Sequence, residues 1–280
     1  MPLVFACIAP HGGHLLLPLG APGPVPECRR AMAALRESLR AARPDCVAIL
    51  TPHGVGIEGA VSLGVTATGY GELDGELDGE LDGEGGADKI TVTVETDLDL
   101  AASWAYRATE RGVPVAPLSA TETSGALPLD WGVTIPLALL TPRAEALPTV
   151  VACPARTLSR TQLMDLGESL VEAGDALGRR VALIVSADQG HGHAADGPYG
   201  FTPASAEYDA SMRAAIEADD LRRLLDWPTD YAETALADSY WQTLALIGAG
   251  KRVPLHAQFL AYEVDHYFGL LCAGFAVGQM

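Results

Sequence analysis

Two histidines, each directly after a proline at the end of an apolar run, are the residues of this chain best placed to hold a metal ion. Val4-Phe5-Ala6-Cys7-Ile8-Ala9-Pro10-His11 opens the sequence, and Asp45-Cys46-Val47-Ala48-Ile49-Leu50-Thr51-Pro52-His53 repeats the design. Each apolar run reads as a buried strand, so Pro-His sets an imidazole at its C-terminal tip. In an open α/β sheet that edge is where ligands bind. Two such tips on neighbouring strands can share one ion, and imidazole suits zinc, copper, iron or nickel. His14 lies on the same loop as His11, but Gly12-Gly13 argues against the helical spacing that would aim both at one ion.

A third apolar run, residues 180–185, leads into Ser186-Ala187-Asp188-Gln189-Gly190-His191-Gly192-His193. His191, among small and polar neighbours at a third strand tip, has the chemistry of a general base beside a metal, because imidazole titrates near operating pH. His193 is the competing candidate. An ion held by two histidines needs a further ligand, and one carboxylate completes a set that leaves open positions on iron for substrate and O2. Asp238, in Leu236-Ala237-Asp238-Ser239-Tyr240-Trp241, precedes an apolar helical run ending at Gly248. Its spacing alone favours a helix cap or a solvent-facing residue.

These tips require a sheet and its crossovers. A helical pattern over residues 27–42 joins the two Pro-His strands, and strand, helix, strand implies parallel pairing. Residues 149–153, 160–178 and 180–185 repeat that unit. Strands are expected over 60–66, 90–95 and 113–119, and helices over 98–111, 204–217 and 231–247. Residues 259–277 are apolar enough for one or two buried strands. Gly-Glu-Leu-Asp occurs three times in tandem within an acidic low-complexity loop at 71–86. Its carboxylates repel one another and its glycines oppose helix, so a solvated surface loop is expected. A calcium loop would need an Asp-x-Asp-x-Asp spacing that is absent. No linker divides the chain. The fold class expected is α/β, a single domain over 1–280 with a central mixed, largely parallel sheet flanked by helices.

An apolar share of 49% against 19% charged residues permits a substantial core. The formal net charge of −18 argues against nucleic acid and against anionic membrane surfaces. Five scattered cysteines without a Cys-x-x-Cys point to a reducing compartment, the cytoplasm. The N-terminus lacks the basic region of a signal peptide, and no apolar stretch reaches membrane length.

Several segments, in order, resemble the class III extradiol ring-cleavage dioxygenases: the Pro-His strand ends, Asp130-Trp131-Gly132-Val133-Thr134-Ile135-Pro136-Leu137, residues 186–191, Gly197-Pro198-Tyr199-Gly200-Phe201, and residues 262–269. The resemblance is to the catalytic beta subunit of protocatechuate dioxygenase and its relatives, including the Memo family, and covers essentially the whole chain. It implies non-haem Fe(II), with Zn(II) as an alternative occupant of the isolated protein. His11 and His53 match the two histidine ligands. Asp238 fits the third, where the family usually has Glu and Memo-type members have Cys; Glu233 is the fallback. His191 matches the catalytic histidine, with Gly190 where the motif has Ser. Asp130, Trp131 and Tyr199 are implied at the substrate, and Trp131 stands where many members carry a substrate-contacting histidine.

The implied reaction is extradiol opening of a catechol-type ring by O2. The catechol chelates through both oxygens, and His191 takes the second phenolic proton and later returns it. Zn(II) has no redox chemistry and cannot support this. A Memo-like metal-binding protein without ring cleavage and a zinc-dependent hydrolase are the alternative readings. The partners implied are a small catechol and O2, in a homo-oligomer, with a small companion subunit in some family members.

Overall fold

The computed structural model describes residues 1–73, 89–119, 125–142, 144 and 146–278. It is a mixed α/β fold built on an eight-stranded sheet. The strands are β1 (Leu3–Ala9), β2 (Cys46–Leu50), β3 (Val61–Gly64), β4 (Thr68–Leu73), β5 (Ile90–Glu95), β6 (Val115–Leu118), β7 (Leu127–Pro128), β8 (Thr149–Pro154), β9 (Val181–Ser186), β10 (Leu255–Asp265) and β11 (Phe268–Val277). The large sheet runs β10-β11-β1-β9-β2-β8-β3-β6, and β5-β4-β7 forms a small second sheet. Pairing is parallel for β1–β9, β9–β2, β2–β8 and β3–β6, and antiparallel for β3–β8, β1–β11 and β10–β11.

The central strands are apolar throughout because both sheet faces are covered. Side chains alternate between the two. Phe5, Cys7, Ala9, Val47, Ile49, Ala182 and Ile184 pack on one side beneath α1 (Pro26–Ala42) and, through Val133 and Leu137, α3 (Trp131–Leu140). Ala6, Ile8, Ala48, Leu50, Leu183 and Val185 pack on the other, beneath α2 (Leu98–Glu110), α4 (Arg160–Leu177), α5 (Pro203–Glu217) and α7 (Tyr240–Arg252). Helices α4 and α7 touch backbone to backbone. A Cβ on Gly167 would lie 1.7 Å from the Ala245 carbonyl oxygen, and one on Gly248 would lie 1.9 Å from that of Met164.

Three expectations are corrected. The two Pro-His strands are not neighbours, because β9 lies between them and pairs with both. Residues 231–247 are not one helix. The short α6 (Tyr231–Thr234) ends, Leu236 takes a left-handed φ of 54°, and α7 starts at Tyr240, so Asp238 lies in a loop. Residues 60–66 contain only β3, and the chain re-enters extended structure as β4 from Thr68. Of the acidic loop at 71–86, Gly71–Leu73 belong to β4. Residues 74–86 lie outside the described residues.

Candidate metal centre and active site

β1, β9 and β2 end side by side, and their tips build the site. His11, after β1, is 3% exposed. Its Nδ1 lies 2.9 Å from Ser186 Oγ at the end of β9, and the Ser186 hydroxyl donates its one proton to the Gly132 carbonyl. Nδ1 must therefore be the protonated nitrogen that donates to Ser186. That fixes the tautomer, and the Nε2 lone pair faces inward. Nε2 of His53, after β2, is 3.0 Å away. His53 is steadied by its backbone N–H on Thr51 Oγ1 (3.2 Å) and by the Trp131 ring, whose centroid is 4.3 Å from its own.

Asp238 closes the group from the loop before α7. Its Oδ1 accepts the Asp188 N–H at 2.9 Å. Its Oδ2 is buried and has no hydrogen-bond partner, although it lies 3.1 Å from His53 Nε2 and 3.6 Å from His11 Nε2. Among the described residues, His11, His53 and Asp238 form a cluster whose ligand atoms all lie within 4.8 Å of one another. Two imidazole nitrogens and an orphaned carboxylate oxygen converging on one point fit a metal ion, and such a two-histidine, one-carboxylate set is used for both non-haem iron and catalytic zinc.

The electrostatics agree with a cation at that point. Burial works against a charged His11, yet the Asp188 carboxylate, with Asp238 and Asp130, outweighs it and raises the His11 pKa to about 9. Burial pushes Asp238 upward, but His11 and His53 overcome it and hold the carboxyl well below the usual range. Asp188 is raised by burial, with His11 opposing. Asp188 is also the hub of the backbone here. It accepts the His11 N–H on Oδ1 at 2.9 Å and donates its own N–H to Asp238.

His191 lies beyond the β9 tip. Its ring stacks on Phe268 at 5.6 Å between centroids, with Tyr199 edge-on at 6.0 Å. Its Nδ1 is buried without a partner. His193 is instead committed: its Nε2 is 2.8 Å from Asp209 Oδ2, which also accepts the Tyr262 hydroxyl at 2.7 Å. Asp209 Oδ1 takes the Gly190 N–H at 2.7 Å, so this buried carboxylate pins both sides of His191. Asp130 caps α3 through the Val133 N–H and accepts the Thr51 hydroxyl. Trp131 and Tyr199 are exposed. His14 pairs with Asp265 at 2.8 Å, and Glu233 is exposed and outside the cluster. The orienting roles of Ser186, Asp188 and Asp209 were not readable from the sequence. Each depends on which strand lies beside which.

The family model for the catalytic LigB subunit of aromatic ring-opening dioxygenase matches residues 6–269. The chain belongs to this family. His11, His53, His191 and Asp238 all fall inside the matched span. The LigB family is one of dioxygenase-type oxidoreductases acting on aromatic rings, and the sequence resemblance to class III extradiol enzymes agrees with it. No curated protein matches the chain. Among solved structures, an uncharacterized protein, JW3007, from Escherichia coli K12 superposes with a TM-score of 0.61 over 97% of this chain and 99% of that one. At 14% identity the likeness is one of fold. Among the described residues, no helix is long and apolar enough to cross a membrane.

Proposed function

We propose that the protein is an Fe(II)-dependent dioxygenase that opens a catechol-type ring on the extradiol side using O2. The observation that carries this reading is the convergence of His11 Nε2, His53 Nε2 and the unpartnered Asp238 Oδ2 inside a LigB-family chain. Those three residues would hold the ion. When bound, Fe(II) would supply open positions for both reactants and a redox route between diol and O2.

The rest is done by the chain. Ser186 takes the Nδ1 proton of His11 in a hydrogen bond, which orients the ring so that Nε2 is the nitrogen presented to the ion. Asp188 fixes the His11 backbone and the Asp238 carboxylate together, which keeps the ligand spacing rigid. His191 is free to act as the acid–base group. Its buried Nδ1 has no partner to compete with a proton, and Phe268 keeps its ring in place. It takes the second phenolic proton as the diol binds and returns a proton during ring opening. His193 remains engaged with Asp209 and serves to place the loop.

The test is anaerobic reconstitution with Fe(II) or with Zn(II), followed by admission of O2 to a panel of catechols. The Fe(II) protein should consume O2 in step with loss of the aromatic ring, and the Zn(II) protein should be inert. Hydrolase or ring-opening turnover by the Zn(II) form would overturn the proposal.

A further inference from the structure

We infer that the site is built for a catechol whose ring substituent carries no negative charge, with Trp131 as a specificity-determining wall. This rests on the ring-opening reading above and narrows its substrate. The chain segments that form the site are residues 10–15, 51–57, 129–134, 186–201, 235–242 and 265–269. They contain Asp130, Asp188, Asp196, Asp238 and Asp265, and no lysine or arginine. Of the two arginines in the loop after β8, Arg156 borders the site and is stacked on one of its aromatic rings, and Arg160 is engaged by backbone carbonyls. Arg156 lies over the Trp241 ring at 4.6 Å, and Arg160 donates to the carbonyls of Leu225 and Trp227. Among the described residues, a carboxylated substrate would therefore meet like charge with no lysine or arginine inside these segments and with the bordering Arg156 already stacked on Trp241, and such juxtaposition disfavours a wrong partner.

The walls are aromatic instead. Trp131 is 46% exposed although its ring rests against the ligand histidine His53 at 4.3 Å. Tyr199, 62% exposed, stands edge-on to His191, and Tyr267 is 6.2 Å from both His191 and Tyr199. Large rings left half in water beside both ends of the site offer stacking surface to an aromatic substrate. Aromatic faces and aspartates together also favour an ammonium substituent over a carboxylate. Trp131 is well suited to select by wall chemistry, because it is the first residue of α3 and its ring is not part of either core.

Three catechols bearing a methyl, an aminoethyl or a carboxylate group para to one hydroxyl test this. Their dissociation constants from the Fe(II) protein are measured by calorimetry under nitrogen, and their turnover in air. The methyl and aminoethyl compounds should bind at least about tenfold more tightly than the carboxylate. Trp131→Arg should narrow or reverse that gap by tightening the carboxylate compound alone. A carboxylate compound that binds as tightly as the methyl one, or the absence of binding by all three, overturns the inference. The predicted binding order without any ring opening would support the inference while sinking the ring-opening reading.

Discussion

At the scale of single residues, the site is a problem of aiming lone pairs. His11 can ligate only if its proton sits on Nδ1, and one serine hydroxyl decides that by giving its own proton to Gly132. Removing His11 or His53 by substitution with alanine should abolish stoichiometric iron, since two ligands rarely retain Fe(II), and metal analysis reads this directly. Ser186→Ala should leave iron binding in place but weaken it about 10–100-fold, the usual worth of a group that orients a ligand. Unchanged affinity would mean that the tautomer is set elsewhere. His191 belongs to a different class, because it lies outside the three-residue cluster. His191→Asn should keep its iron and its catechol affinity while turnover falls about 10²–10⁴-fold. Lost iron would make it a ligand, and unimpaired turnover would move the proton role to His193.

At the scale of elements, the site depends on the ends of β1, β9 and β2 and on the break between α6 and α7. Two of those features were legible in the sequence. Pro-His after an apolar run marked both strand tips, and strand, helix, strand fixed their parallel direction. The insertion of β9 between them was not legible, because strand order is settled by which layers pack, not by local pattern. The α6–α7 break was hidden for a related reason. Residues 231–247 carry helix-compatible side chains throughout, and only a non-glycine left-handed residue, Leu236, and the Asp188 N–H captured by Asp238 reveal the turn. Asp238 therefore looked like a cap in sequence and is a buried ligand candidate in three dimensions. The loop stays where it is because α7 is locked against α4 at Gly167 and Gly248. Gly248→Ala should cost about 1–3 kcal/mol or more by overpacking a backbone contact. A thermal midpoint unchanged by Gly248→Ala would show that the two helices separate freely.

At the scale of the whole molecule, proton and metal compete for one buried cavity, and stability should record the competition. The His11 pKa of about 9 in the ion-free protein stands above its ordinary value of 6.5. Protonation therefore stabilises the ion-free fold fully below about 6.5, and this contribution is lost as pH rises through about 9. A metal must displace that proton, so binding should release it, and the rise in melting temperature at saturating metal should grow from pH 6.5 to pH 9. A metal-induced rise that is flat across this range would show that His11 is not a ligand. Further out, the acidic surface and the aromatic walls fit a small organic substrate, and the family match fits a dioxygenase. The most direct test of that reading is mass analysis of the product formed by the Fe(II)-reconstituted protein from a catechol under isotopically labelled O2. Both labelled oxygen atoms should appear in a single ring-opened product. A product that retains the aromatic ring, or one without label, would contradict it.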